Sequence, residues 1–388
     1  MKRSSLWLHR GAIAALATMP AILGAQSLPI GGANTAQLAH TPPNIYDALA
    51  VDERIASSMI IADTSATSIG TRLTDPRYDA TTQQYTGVVR LLMKDASGAF
   101  GNCSGSLLWD RQTILTAAHC VANTDGSLRA TQVDVRFRGT TNSSAADVNL
   151  INSASSITIL PGYTGAVIES NDIAVIRLNQ APPEWAESYS LFAGNPLNQL
   201  ADLSGWGFVG DGNTGDLYQF GGQGRRLQGF QQWNAFANTA GSLFSGGANQ
   251  GILVYDFDNG SYDRNRLCGV FGLPEGSANP LCETGYGLDE VALGRGDSGG
   301  PGFVFNVLSG KWEIAGVASW GTSGFASNGA TCPLSRIGCF GALGGHTAVG
   351  REYAYNFISQ SVPEPGTWAL MVAGLAGICV VARRRNVA

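Results

Sequence analysis

Short apolar runs with alternating polar positions dominate the middle of the chain. Residues 133–137 have the sequence VDVRF, in which every second side chain is apolar, as in a strand with one buried face. Gly, Asn, Asp and Ser, which favour turns, separate the runs. The runs are residues 86–93, 103–108, 113–116, 133–137 and 173–178, and residues 312–320 hold enough apolar sequence for two more strands. The pattern predicts an all-β domain.

The first 25 residues follow another pattern. Lys2, Arg3 and Arg10 give a positive start, and the apolar run 11–23 ends at a plausible cleavage site. This is the order of a secretory signal peptide. A membrane anchor is the alternative, but a thirteen-residue run that contains a proline is too short to span a bilayer. We therefore expect residues 1–25 to direct export through the Sec route.

Two further stretches lack a clear strand pattern. Residues 26–68 are rich in Ala, Ser, Thr, Pro and Asn, which favours an N-terminal extension or propeptide, with His40 solvated. Residues 208–290 are rich in Gly, Asn and Gln, which predicts long surface loops.

An acidic group lies within the second stretch. The carboxylates of Asp256, Asp258 and Asp263 could gather around calcium. The sequence lacks the well-placed final Glu of a calcium loop, so an acidic turn is favoured.

Composition narrows the function. A net charge of −5 with 14% charged residues argues against a nucleic-acid partner, which would require a basic face. The seven cysteines show no CxxC or HxxxH spacing, so a zinc site is not favoured. We expect neither a metal nor another cofactor.

The strongest chemical signal lies in residues 294–301, with the sequence GRGDSGGP. Glycines beside Ser298 let backbone amides approach a substrate carbonyl, and the amides of Gly296 and Ser298 could point at one oxyanion. A serine hydroxyl also requires a base that a third group holds. His119 follows one predicted strand and Asp172 precedes another, which gives the order His, Asp, Ser.

These segments resemble those of the chymotrypsin/trypsin-like serine proteases over residues 85–360. The order of the three residues differs from that of subtilisins and α/β-hydrolases. The resemblance implies two six-stranded antiparallel β-barrels of the chymotrypsin-like type and a short C-terminal helix at residues 352–359. We expect the protease domain to span residues 69–360.

The resemblance also implies roles for the three residues. Ser298 attacks a peptide carbonyl, His119 accepts the proton and returns it to the leaving amine, and Asp172 holds the imidazole in one tautomer. The expected activity is that of an exported serine endopeptidase acting on proteins or peptides. The alternative is a non-catalytic binding protein of the cell surface or matrix on the same fold. A lipase-like esterase is disfavoured by the order of the triad.

The expected substrate-binding residues follow the same resemblance. Ser319, Trp320 and Gly321 match a strand beside the substrate backbone, whose serine helps to hold the triad aspartate. Family members that prefer Lys or Arg have an aspartate six residues before the nucleophile, where this chain has Ala292. A cationic side chain would lose its hydration there without gaining a partner. We expect a preference for apolar or small P1 side chains, with Gly321 leaving the pocket open.

Two acidic residues and one histidine near the pocket could also contact the substrate. Asp289 or Glu290 could reach into the pocket from the preceding loop. His346 lies near the strand that lines the pocket in the family, where a core histidine is favoured over a substrate contact.

The sequence expected at the mature N-terminus differs from that of the family. Many members begin with Ile-Val-Gly-Gly, whose freed amine pairs with the aspartate before the nucleophile, here Asp297. This chain lacks the tetrad and offers only residues 60–61 and 69–70 as weak substitutes. Either another protease matures the chain, or an internal donor satisfies Asp297.

The cysteines fit an exported, disulfide-bonded protein. The resemblance implies a disulfide between Cys103 and Cys120. The remaining pairs could close one loop before the nucleophile and one after it, although spacing alone does not fix connectivity. These pairs are Cys268 with Cys282 and Cys332 with Cys339, which leaves Cys379 as the odd cysteine.

The last segment is separate. The sequence VPEPG at residues 362–366 precedes an apolar stretch, residues 367–382, and three arginines. This order resembles the PEP-CTERM sorting tail of Gram-negative exported proteins, which an exosortase is thought to cut in exopolysaccharide-producing bacteria. We expect residues 361–388 to form a sorting or anchor helix that associates with the membrane before processing. A plain anchor is the alternative.

Overall fold

The computed structural model describes residues 61–62, 78, 85–139, 148–168, 171–216, 226–239, 251–324 and 336–362. The predicted signal peptide, His40 and most of the predicted sorting helix lie outside these residues. The described strands, in chain order, are β1 Ile61–Ala62, β2 Val88–Asp95, β3 Phe100–Leu107, β4 Thr113–Thr116, β5 Ala130–Phe137, β6 Val148–Ser153, β7 Ile157–Ile159, β8 Ala174–Arg177, β9 Leu200–Gly205, β10 Gly210–Asp211, β11 Gly215–Asp216, β12 Leu227–Gln232, β13 Ala235–Phe236, β14 Ile252–Phe257, β15 Val291–Ala292, β16 Pro301–Asn306, β17 Lys311–Gly321 and β18 Ala342–Ala348. The described α-helices are α1 Arg266–Val270 and α2 Glu352–Ser361.

Two curled antiparallel sheets form the body of the molecule. The first has the strand order β6-β5-β2-β3-β4-β8-β7, and the second has the order β12-β9-β16-β17-β18-β14-β13. In β5 the apolar residues Val133, Val135 and Phe137 are buried, as their alternation predicts. This arrangement confirms the chymotrypsin-like double-barrel fold. Each sheet has seven strands rather than six, because the short strands β7 and β13 pair at the edges.

A third, small sheet lies next to the candidate site. Its order is β11-β10-β1-β15, with β1 parallel to β10 and antiparallel to β15. The pairing places the backbone of Ile61 opposite that of Ala292. Residues 61–62 therefore adjoin the strand that leads into residues 294–301, the nucleophile loop, which contains Ser298.

Two sequence predictions about strands are wrong. Residues 312–320 were expected to form two strands but belong to the single strand β17, which continues through a bulge between Ala318 and Trp320. The stretch 208–290 contains β12 and β14, not only loops. Because every residue of β14 is buried, the strand has no polar alternation to reveal it.

Helix α2 confirms the predicted closing helix and extends it to Ser361. Ala354 and Ile358, four residues apart on one face, are its buried residues. None of the helices within the described ranges combines the length and the apolar character that crossing a bilayer requires.

Candidate active site

Neighbouring strands bring His119 and Asp172 together. His119 lies in a 3-10 turn, Ala118–Cys120, that follows β4, and Asp172 lies two residues before β8. Strands β4 and β8 pair with Thr116 opposite Ala174, so the end of one strand lies beside the start of the other. A disulfide between Cys103 and Cys120 fixes the turn to β3.

The Asp172 carboxylate is fully buried and holds the histidine from two directions. Its Oδ2 lies 2.7 Å from Nδ1 of His119, and its Oδ1 accepts the backbone N–H of His119 at 2.8 Å. The Ser319 hydroxyl donates to Oδ2 as well. These contacts orient the imidazole so that Nδ1 is the protonated nitrogen and Nε2 faces away.

Ser298 lies on the segment beside this pair. Its carbonyl oxygen accepts the N–H of Ser104 at 2.8 Å and lies 3.6 Å from Sγ of Cys120, the residue after His119. Nε2 of His119 is buried and has no hydrogen-bond partner among the described residues. The structure therefore contains the hydrogen bond between His119 and Asp172 but none between Nε2 of His119 and Ser298. Catalytic hydrogen bonds are often long before substrate binds.

The nucleophile loop depends on glycine at residue 296. Gly296 has a φ of +107°, and a Cβ there would lie 2.8 Å from Cα of Gly207. Another residue would be strained and would also clash with backbone. The close approach of Gly207 therefore explains why this loop carries a glycine two residues before Ser298.

Asp297 is buried directly beside the candidate nucleophile. Its Oδ1 accepts the N–H of Gly207 at 3.1 Å, while Oδ2 has no hydrogen-bond partner within the described part of the chain. Burial raises the pKa of this carboxyl well above its usual range, although the Gly207 amide opposes the shift. An internal donor therefore satisfies one oxygen of Asp297.

The predicted pocket residues lie along facing strands. Ala292 is buried in β15, and Gly321 at the end of β17 pairs with Gly344 in β18. A Cβ at Gly344 would lie 2.2 Å from the hydroxyl of Tyr255, so this phenol occupies the space above Gly344. A Cβ at Gly321 would meet Cδ1 of Ile337 at 3.5 Å. Gly321 therefore borders Ile337 rather than wholly open space.

Trp320 and the acidic residues before the pocket have other surroundings. Trp320 is buried in the second barrel. Asp289 is exposed, whereas Glu290 is buried and accepts a hydrogen bond from Gln231 through Oε1 and from the N–H of Tyr286 through Oε2. The Glu290 carboxylate is therefore engaged with Gln231 and Tyr286.

His346 is fully buried. Its Nδ1 accepts the indole N–H of Trp233 at 3.1 Å, and burial lowers the pKa of His346 to about 3. The ring is therefore neutral under ordinary conditions and belongs to the interior of the second barrel.

The three aspartates considered for calcium have separate partners. Asp256 accepts the N–H of Leu267, and Asp258 accepts that of Gly260. Asp263 lies 3.9 Å from its neighbour Arg264. The contact of Asp256 is with the start of helix α1, and the contact of Asp258 lies within a turn.

Among the described residues, one cluster of side chains has the residue types and the spacing of a metal site, and two of its three members are cysteines. Cys103, His119 and Cys120 have their ligand atoms within 4.8 Å of one another, but both sulfurs belong to a disulfide. The pair Cys268 and Cys282 also forms a disulfide. Cys339 is disulfide-bonded, while Cys332 and Cys379 lie outside the described residues.

Sequence reasoning gave no role to Ser104, which makes two hydrogen bonds to the nucleophile loop and one to Trp206. Its N–H binds the carbonyl of Ser298, its hydroxyl donates to the carbonyl of Gly296, and its Oγ accepts the N–H of Trp206. The only available signal was its place directly after Cys103.

Comparisons with known proteins agree with this geometry. The family profile described as Trypsin matches residues 79–223, and the PEP-CTERM protein-sorting motif matches residues 361–385. The chain is 27% identical to trypsin, alkaline B, of Manduca sexta over 248 residues, which cover 62% of this chain and 78% of that protein. Trypsin, alkaline A, of the same organism is 26% identical over the same shares.

Proposed function

Because the chain carries a trypsin-family domain and a PEP-CTERM sorting motif, we propose that it is an exported serine endopeptidase that uses Ser298, His119 and Asp172. The observation that carries the proposal is the buried Asp172, which holds both the ring and the backbone of His119. A carboxylate in this position is required to keep Nδ1 protonated while Nε2 accepts a proton.

The reaction follows from these groups. Ser298 Oγ attacks the peptide carbonyl as Nε2 of His119 takes its proton, and the imidazolium then protonates the leaving amine. The amides of Gly296 and Ser298 stabilise the oxyanion. Water repeats the sequence on the acyl-enzyme, which releases the acid and restores Ser298.

We propose a preference for apolar or small P1 side chains. Ala292 has no charge to offer, and Glu290 is engaged with Gln231 and Tyr286. Tyr255 above Gly344 and Ile337 beside Gly321 reduce the space available to a long side chain. Cleavage of a peptide library mainly after Lys or Arg would contradict this preference.

Labelling with a fluorophosphonate probe tests the activity. We expect the exported wild-type protein to react and Ser298→Ala to remain unlabelled. Ser106→Ala is the matched control, because Ser106 is a buried serine on β3 that takes no part in the proposed chemistry. A folded wild-type protein without labelling would favour a non-catalytic binding protein.

The sorting motif implies export to the cell envelope or extracellular space of a Gram-negative bacterium, with processing by an exosortase. We further propose export through the Sec route and a maturation cut near residues 60–61 rather than 69–70. The pairing of β1 with β15 supports this cut, since it brings the segment at Ile61 to the strand before the nucleophile loop. N-terminal sequencing of the exported protein tests it, and a first residue at 69 would contradict it.

A further inference from the structure

Ser104 is a rigid point of the first sheet. It is fully buried in β3, where it pairs with Arg90 of β2. The preceding residue, Cys103, is fixed by its disulfide to Cys120. The carbonyl of Ser104 also accepts the hydroxyl of Thr116 at 2.8 Å. Contacts within the first sheet therefore hold the backbone of Ser104 in place.

The hydroxyl of Ser104 has one proton, and its contacts decide where that proton goes. Oγ accepts the backbone N–H of Trp206 at 2.9 Å. Among the described residues, the other hydrogen-bond partner of Oγ is the carbonyl oxygen of Gly296 at 2.8 Å, which can only accept. The hydroxyl proton therefore points to Gly296, and the acceptor contact with Trp206 fixes this orientation.

These contacts hold both peptide planes that meet at Gly296. The carbonyl of Arg295 accepts the N–H of Phe208 at 3.1 Å, and the carbonyl of Gly296 accepts the Ser104 hydroxyl. In a planar trans peptide the N–H points opposite to the C=O. Fixing the Arg295 carbonyl therefore fixes the direction of the Gly296 N–H. Fixing the Gly296 carbonyl prevents rotation on the other side.

The hydrogen bond from Ser104 to the carbonyl of Gly296 is needed because residue 296 is a glycine. Gly296 has a φ of +107° and no Cβ to restrict it, so its backbone has more accessible conformations than that of any other residue. Ser104 also donates its own N–H to the carbonyl of Ser298 at 2.8 Å. One residue of the first barrel thus grips the loop on both sides of Asp297.

We propose that Ser104 is a positioning residue that holds the amides of Gly296 and Ser298 in the orientation that binds the oxyanion, an inference that rests on the proposed endopeptidase function. Its hydroxyl does not touch the substrate. It acts by holding the Gly296 carbonyl, and so its loss lowers transition-state stabilisation more than substrate binding.

Steady-state kinetics of Ser104→Ala and Ser106→Ala on a cleaved peptide anilide test the proposal. For Ser104→Ala we expect kcat to fall tenfold or more with KM within about twofold, because a misplaced oxyanion donor acts in the transition state. For Ser106→Ala, which removes a buried hydroxyl from the same strand, we expect both constants within about twofold of wild type. Equal kcat losses in the two variants would overturn the proposal.

A pair of inhibitors separates positioning from a general structural effect. A peptide trifluoromethyl ketone forms a tetrahedral adduct with an oxyanion, whereas the matched peptide alcohol does not. Ser104→Ala should weaken the ketone tenfold or more and the alcohol less than twofold. Equal weakening of both inhibitors would overturn the proposal. If Ser104→Ala does not fold, Ser104→Gly supplies the same comparison, and an inactive wild type would refute the proposed function instead.

Discussion

The buried pair of Asp202 and Tyr85 predicts how stability depends on pH. Asp202, on β9, is 5% exposed, and its Oδ2 accepts the Tyr85 hydroxyl at 2.8 Å. Burial raises the pKa of Asp202 from 3.8 to about 7, although the Tyr85 hydroxyl and the Gly229 amide oppose the shift. Below pH 7 the native carboxyl is therefore mostly protonated.

The sign and size follow from linkage. Because the native pKa lies above the unfolded one, the native state binds more protons between about pH 4 and pH 7, and its stability falls as the pH rises through that window. A shift of about 3 units at about 1.4 kcal/mol per unit gives a loss of at most about 4 kcal/mol, complete above pH 7.

Asp202→Asn isolates this contribution, since the amide does not titrate. The new NH₂ group faces a site where Oδ1 of Asp202 has no hydrogen-bond partner among the described residues, and so the variant carries a roughly constant penalty. We expect its free energy of unfolding, relative to the parent, to rise by up to about 4 kcal/mol between pH 4 and pH 8.

The assay is urea unfolding followed by tryptophan fluorescence, with Ser298→Ala as the parent to prevent self-digestion. Tyr85→Phe is the second arm, because loss of its hydroxyl removes a hydrogen bond that lowers the pKa of Asp202, and the loss of stability should then continue to higher pH. A difference between Asp202→Asn and its parent that stays constant from pH 4 to pH 8, or that falls, would refute the reasoning.

Three further predictions concern the site and its supports. Asp172→Asn should lower kcat by about 10⁴ with little change in KM, because the amide favours the wrong imidazole tautomer; a loss below tenfold in steady-state kinetics would contradict this. Replacing both cysteines of the Cys268–Cys282 disulfide by serine should lower the free energy of unfolding by about 3 kcal/mol in urea, since the bond joins cysteines that are 14 positions apart. Gly205→Ala should inactivate the protein, because its Cβ would lie 1.9 Å from the carboxylate before Ser298, whereas Gly269→Ala meets nothing within 4 Å and should retain activity.

Local patterns in the sequence were enough to predict the first sheet. The run 113–116 became β4 with the predicted bounds, because a short apolar run between turn residues has few other stable conformations. The run 133–137 lies inside the longer β5, since polar positions of an exposed face can extend a strand. The glycine pattern around Ser298 likewise predicted a tight loop, which the positive φ angles of Gly296 and Gly299 confirm.

Contacts between distant segments could not be predicted in this way. Tyr85 and Asp202 are separated by 117 residues, and nothing near either one indicates the other. Ser104 contacts a carbonyl 192 residues away, and its role depends on the partner's backbone rather than on a partner side chain. Every residue has a backbone carbonyl, so the sequence does not indicate which carbonyl accepts a particular hydrogen bond.

The two halves of the candidate site are held in place in different ways. His119 is fixed by the disulfide at the neighbouring Cys120 and by two hydrogen bonds to the buried Asp172. The nucleophile loop has no disulfide among the described residues and half of its residues are glycine, so its geometry depends on donors from other segments, above all Ser104. Each such hydrogen bond contributes only about 1 kcal/mol, so loss of one can change the loop without unfolding the barrel. Variants of these donors should therefore lower activity well before they lower stability.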